Sequence, residues 1–285
     1  MKQDNVIDTI EKLLAENTEA SLTYAALECR LAIERICYER LRIAHDYISH
    51  DEIKKWQPKE VIRIIADEVN EDVKNDFFLQ ISTAPMPSAV KNPTVEDFAK
   101  LDYVPVGNHV GLNSAKLGKL WNALSGLALH TPLPKCKEDE VSYYGDSAKI
   151  REKVLEALHE IKRIYSGSLI TSGLGEEVSF DCVCGAKVRR RLGLLSNGKV
   201  IFCTEADCKE SYIFNADGGL ARRIFHAECR HCSQSTPIHQ RLIDGMQRND
   251  TLQFQCQNAV CAEKLIFRCI VAVGQSSRTP DEKQT

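Results

Sequence analysis

The sequence predicts an α+β chain: an N-terminal helical bundle with an extended or β insertion, then two small zinc-ribbon β modules. Three observations carry that expectation. Apolar residues recur at helical spacing over the first half of the chain. Prolines and β-forming residues interrupt that pattern between about 77 and 113. Eight of the twelve cysteines fall into two copies of one spaced pattern near the C-terminus. The expected organisation is a helical domain at 1–168, ribbons at 176–218 and 224–273, and a disordered tail at 274–285.

Residues 1–72 read as helical. Ser49-His50-Asp51-Glu52 fits a capping box that restarts a helix, and Pro58 sits where a first-turn proline belongs. A long helix is expected from Leu22 to about Tyr47. Its Glu28, Arg35, Glu39, Arg42 and Asp46 form a solvated stripe opposite Cys29, Ile33, Ile36, Cys37 and Ala44. Arg40 falls within the apolar arc. A guanidinium there keeps its proton and needs a carboxylate, backbone carbonyls or a bound anion. Phe77–Ile81 and Tyr103–Val106 read as short strands or extended loops. A helix is expected from about Ala115 to His130, with Ser114 as N-cap and an apolar stripe of Leu117, Leu120, Leu124, Leu127 and Ala128. Another is expected over Ser147 to Tyr165. Ser166-Gly167 and Gly173-Leu174-Gly175 then lead into the cysteine-rich region.

The first cysteine set pairs Cys182-x-Cys184 with Cys203-x4-Cys208; the second pairs Cys229-x2-Cys232 with Cys256-x4-Cys261. Two close pairs per set is what a tetrahedral thiolate site requires, so the expected cofactors are two structural zinc ions. Lys209-Glu210-Ser211-Tyr212-Ile213-Phe214 and Ala262-Glu263-Lys264-Leu265-Ile266-Phe267 follow the two sets in parallel, which marks an internal repeat. Gly185 suits a tight knuckle, and the missing residue in Cys182-x-Cys184 predicts a distorted one. His226 and His231 are not needed as ligands, because the second set is already complete. Of the remaining cysteines, Cys29 and Cys37 are expected in the core, Cys136 in a loop and Cys269 on a strand.

No signal peptide or apolar stretch long enough for a bilayer is read, so a cytoplasmic protein without a membrane partner is expected. Residues 1–177 carry 22 Lys+Arg against 29 Asp+Glu, a formal −7; residues 178–270 carry 13 against 9, a formal +4. Two Zn²⁺ and eight thiolates bring the ribbons back near neutrality, which excludes a global basic footprint. What remains is local: Lys187, Arg189, Arg190 and Arg191 in the first ribbon, then Arg222 and Arg223 between the ribbons. A cluster of that size holds phosphates or decorates a solvated hairpin.

Arg40-Leu41-Arg42-Ile43-Ala44-His45 matches an R-x4-H spacing, and Leu124-Ser125-Gly126-Leu127-Ala128-Leu129-His130 has the form of a helix ending LS-x-x-x-H. Over residues 15–165 these resemble the HEPN superfamily of helical domains, found in ribonucleases and in toxin and phage-defence proteins. Leu41 departs from the polar residue usual after the arginine in catalytic members. Residues 178–270 resemble the zinc-ribbon class. The resemblances imply three competing functions. One is a nucleic-acid-binding or adaptor component, of a bacterial defence system by the HEPN likeness, with RNA, DNA or a protein as partner. Another is a metal-independent ribonuclease in which Arg40 stabilises the scissile phosphate and His45 acts as general acid or base. HEPN enzymes use a dimer for this, so that reading implies a homodimer through the helical domain. The third is a structural protein–protein interaction module.

Overall fold

The computed structural model describes residues 3–49, 57–86, 92–134, 136–137, 140–171 and 173–270. The restart signal after Ser49 and the tail at 274–285 lie outside them. The chain divides into two compact units, Met1–Leu195 with Thr204–Ala206, and Ser196–Cys203 with Asp207–Thr285.

In the first unit, helices α1 (Gln3–Glu16), α2 (Glu19–Ala44), α3 (Pro58–Glu68), α5 (Ser114–Ala128) and α6 (Ser147–Tyr165) share one apolar core. α2 is its centre and packs against the other four. It starts three residues before the expected Leu22, because Thr18 and Ser21 form a reciprocal capping box. It stops at Ala44, and Tyr47 and Ile48 follow as buried, non-helical residues. Cys29 and Cys37 are fully buried, and burial pushes each thiol up to about 12, so both act as small apolar residues. Pro58 occupies the first turn of α3, where its missing N–H costs nothing. For α5 the cap is Asn113 rather than Ser114: the Asn113 side chain accepts the Lys116 amide, and the helix begins at Ser114, one residue before the expected start.

The two extended segments pair with each other. β1 (Phe77–Ser82) runs antiparallel to β2 (Tyr103–His109), with a shift between Leu79 and Gln80 that leaves Val106 between the partners Pro105 and Gly107. A single helical turn, α4 (Val95–Phe98), is capped by Thr94. After α6 the glycine-containing segment packs onto the domain. The Ser168 and Leu169 amides both donate to the Asn108 carbonyl at 3.0 Å. A Cβ at Gly173 would stand 2.9 Å from the Asn70 side chain. This unit closes with the hairpin β3 (Glu177–Asp181) and β4 (Lys187–Arg191) and a short 3₁₀ turn at Leu192–Leu194.

In the second unit β5 (Val200–Phe202), β6 (Ser211–Phe214) and β7 (Leu220–Arg222) form an antiparallel sheet in chain order. The hairpin β8 (Ile224–Glu228) and β9 (Ser235–His239) leads through α7 (Gln240–Asp244) to the hairpin β10 (Thr251–Gln255) and β11 (Lys264–Arg268). Cys269, expected on a strand, follows β11, and its amide donates to the Asp250 carbonyl. Phe267 meets Phe225 and Phe254 edge-on, each with centroids 5.7 Å away. The internal repeat is therefore structural: hairpin, one turn of helix, hairpin, twice, with β7 added as a third strand in the first copy.

Candidate metal centres

Each cysteine pair sits where a strand gives way to a turn. In the first copy the Cys182 amide donates to the Ala186 carbonyl and the Gly185 amide to the Cys182 carbonyl, both at 2.8 Å. Gly185 has φ +90°, which a side chain would oppose. In the second copy the Cys229 amide reaches one residue further, to Gln234, and the Ser233 amide returns to the Cys229 carbonyl at 2.8 Å. Ser233 takes the left-handed conformation there, with φ 56°. The short spacing at Cys182-x-Cys184 is thus absorbed by a knuckle one residue tighter. The second pairs are anchored alike, by Cys203 N–H to the Glu210 carbonyl at 3.2 Å and Cys256 N–H to the Glu263 carbonyl at 3.1 Å.

These turns bring Cys182, Cys184, Cys203 and Cys208 together, and separately Cys229, Cys232, Cys256 and Cys261. Within each set all four sulfurs lie within 4.8 Å of one another. In the second set Cys229 Sγ is 3.8 Å from Cys261 Sγ, and Cys232 Sγ is 3.6 Å from Cys256 Sγ. No disulfide joins any of the twelve cysteines. The Cys232 and His231 amides draw the Cys229 thiol down to about 7. At Cys261 the Glu263 amide acts in the same direction, but burial and the neighbouring sulfurs outweigh it and push that thiol up to about 12. Four crowded sulfurs cannot all ionise without a cation among them. Each set could hold one metal ion, as zinc-ribbon-like modules do, and the donor set is all thiolate.

The basic residues are divided by the alternation of strand β4. Val188 and Arg190 face inward and Arg190 is 1% exposed, with its Nη1 donating to the Arg189 carbonyl at 2.7 Å. Arg191 donates to the Gly175 and Gly173 carbonyls, both at 3.1 Å, and lies over the Tyr47 ring. Glu177, its cross-strand partner, lies 3.7 Å away and accepts a 2.6 Å bond from the Tyr47 hydroxyl. Arg189 is half-exposed and 3.8 Å from Glu177. Arg222 forks onto the buried carboxylate of Glu210, its Nε at 2.7 Å. Arg223 pairs with Asp244 at 2.8 Å. Lys187 is exposed. Sequence reasoning missed the three carboxylates. Glu177 was legible in principle, since a hairpin over 177–191 puts it opposite Arg191.

Arg40 is 6% exposed, and its guanidinium donates to the Leu169 carbonyl at 3.3 Å and the Val110 carbonyl at 3.4 Å. Backbone carbonyls, one of the partners that the sequence allowed, are present. His45 is the exposed C-cap of α2. No protein-family model matches the chain, no curated protein matches it in sequence, and no solved structure matches it in fold. The likeness to HEPN domains therefore rests on the two motifs.

Proposed function

We propose that the protein is a zinc-dependent adaptor whose ribbons engage a protein partner in the cytoplasm. The observation that carries it is the pairing of the arginines: in a chain with two closed tetra-cysteine sets, Arg190, Arg191, Arg222 and Arg223 are engaged within the molecule, which leaves the half-exposed Arg189 and the exposed Lys187 to meet a phosphate. Zinc is the metal that suits an all-sulfur tetrahedron. With Zn–S near 2.3 Å, such a tetrahedron has edges of about 3.8 Å, in line with the 3.6 and 3.8 Å separations in the second set. Four thiolates leave no open coordination position, so the ions support the fold rather than chemistry. The carbonyl partners of Arg40 favour a structural arginine over a catalytic one. A place in a defence system rests on the HEPN resemblance alone.

The test is metal content followed by filter binding of RNA and DNA across a salt series. Two zinc ions per chain and no salt-steep retention are expected. A log K against log salt slope corresponding to several phosphate contacts would replace the adaptor with a nucleic-acid-binding protein.

A further inference from the structure

The helical domain carries a polar cleft that the ribbons and the R-x4-H motif do not explain. It has a volume of about 640 Å³ and lies where the 3₁₀ turn Glu71–Lys74, the segment leading into α5 and the last turns of α6 converge. Its charged lining is Lys74, Asp76, Lys116, His159, Glu160 and Arg163. Among the described residues no Phe, Tyr or Trp lines it.

The floor is stitched tightly. The Leu112 amide donates to the Val73 carbonyl at 2.8 Å, and the Gly111 amide to Asp76 Oδ1 at 2.6 Å. A Cβ at Gly111 would stand 2.4 Å from the Lys74 carbonyl oxygen, so only glycine permits this approach. Glu160 is 2% exposed and accepts Lys116 Nζ at 2.7 Å and Arg163 Nη2 at 2.8 Å. Burial raises the Glu160 carboxyl, but the bonds from Arg163 and Lys116 outweigh it and hold it below the ordinary glutamate value. Glu160 is therefore a buried post that fixes two cations at the cleft wall. Arg163 Nη2 also donates to the Gly111 carbonyl at 2.7 Å. An ammonium has three donors, and Glu160 takes one from Lys116. Lys74 is exposed at the mouth, as is His159.

Lys74, Lys116 and Arg163 face Asp76 and Glu160 here, an excess of one positive charge; Lys116 and Arg163 are fixed on Glu160, Arg163 Nη1 also lies 3.4 Å from Asp76 Oδ1, and Lys74 stands exposed. The surrounding residues 1–177 carry a formal −7. A net positive cleft with prearranged donors inside an acidic domain selects anions. Its volume falls in the range of small-molecule sites, and the absence of an aromatic wall offers a nucleobase nothing to stack on.

We infer that this cleft binds a compact polyanion carrying two or more phosphate groups, held by Lys74, Lys116 and His159 with Arg163 as the fixed back wall. The site is independent of the metal centres and of the adaptor reading.

The experiment is calorimetric titration of the full-length protein with inorganic phosphate, pyrophosphate and tripolyphosphate at low salt, with the His159 ring resonances followed by NMR. Pyrophosphate and tripolyphosphate are expected to bind more tightly than phosphate, to shift His159, and to weaken as salt rises. Lys74→Ala removes one exposed charge-assisted contact and should weaken pyrophosphate binding roughly tenfold, with the melting temperature unchanged. Lys264→Ala, at an exposed position of strand β11, should leave it unaltered. No heat and no His159 shift with pyrophosphate would overturn the inference. So would an affinity that Lys74→Ala and His159→Ala together leave at the wild-type value.

Discussion

Arg40→Ala separates a structural arginine from a catalytic one, and its cost follows from the contacts. The wild-type guanidinium makes two bonds, to the Leu169 and Val110 carbonyls at 3.3 and 3.4 Å. Charge-assisted bonds contribute roughly 1.5–3 kcal/mol each, and these lengths put both at the lower end, for a sum of about 3 kcal/mol. Truncation also removes the packed stem beside Ile36 and Ile164 and takes a donor from the buried Val110 carbonyl. Against that, the variant no longer desolvates a charge. Burial is what draws the Arg40 guanidinium below its ordinary value, and relief of that cost offsets part of the loss. The net expectation is a destabilisation of about 2–4 kcal/mol for Arg40→Ala and about 1–2 kcal/mol for Arg40→Met, which keeps the stem. Urea unfolding of the helical domain, read by far-UV circular dichroism, measures both. His45→Ala should be nearly silent, since His45 is an exposed cap. A cost below about 1 kcal/mol for Arg40→Ala would refute a structural Arg40. So would both variants staying folded and both abolishing RNA cleavage shown by the wild type.

Cys256→Ser should lower the zinc content from two ions per chain to one and unfold the β8–β11 module, while the thermal transition of the helical bundle stays in place; mass spectrometry under native conditions and calorimetry read the two outcomes. Neutralising Arg189, Arg190 and Arg191 together should change any nucleic-acid salt slope by at most about 0.9, because Arg189 is the member left half-exposed. Glu160 stabilises the fold above the unfolded glutamate value near pH 4.3, and that stability is lost as pH falls through its depressed folded value. Glu160→Gln should therefore be less stable at pH 7 and show a flatter acid-unfolding profile below about pH 5. Gly111→Ala should destabilise the 3₁₀ turn and the cleft together, seen as shifted Lys74 and Leu112 amide resonances.

The parts of the fold written in local patterns were legible. Helix α6 over Ser147–Tyr165 follows from its periodicity, and both metal sets follow from pair spacing, since four sulfurs at those intervals have few other uses. The ends of α2 were not. Thr18 competes with later start points, and the signal that settles it is a side-chain bond to Ser21. The ionic partners were invisible for a different reason. Glu210 finds Arg222 through the β6–β7 turn, and Lys116 finds Glu160 across 44 positions. Such pairings are set by how helices stack, and a linear string holds no period for them. The polar cleft is the extreme case, because it gathers residues near 74, 111–116 and 159–163 that no motif links.

The glycine-containing stretch between α6 and β3 has the composition of a tether, and free in water such a chain samples a broad spread of end-to-end distances. Here it is a strap. The Asn108 carbonyl fastens one end, Asn70 lies against its middle, and the Arg191 guanidinium clasps the Gly173 and Gly175 carbonyls from the far side of the β3–β4 hairpin. Tyr47, just past the end of α2, is caught in the same clasp through Glu177. The first hairpin therefore inherits the heading of the helical bundle instead of swinging from it. A load applied at the Cys182–Cys184 knuckle is passed to the end of the central helix, and a protease acting on 173–176 must wait for that buckle to open.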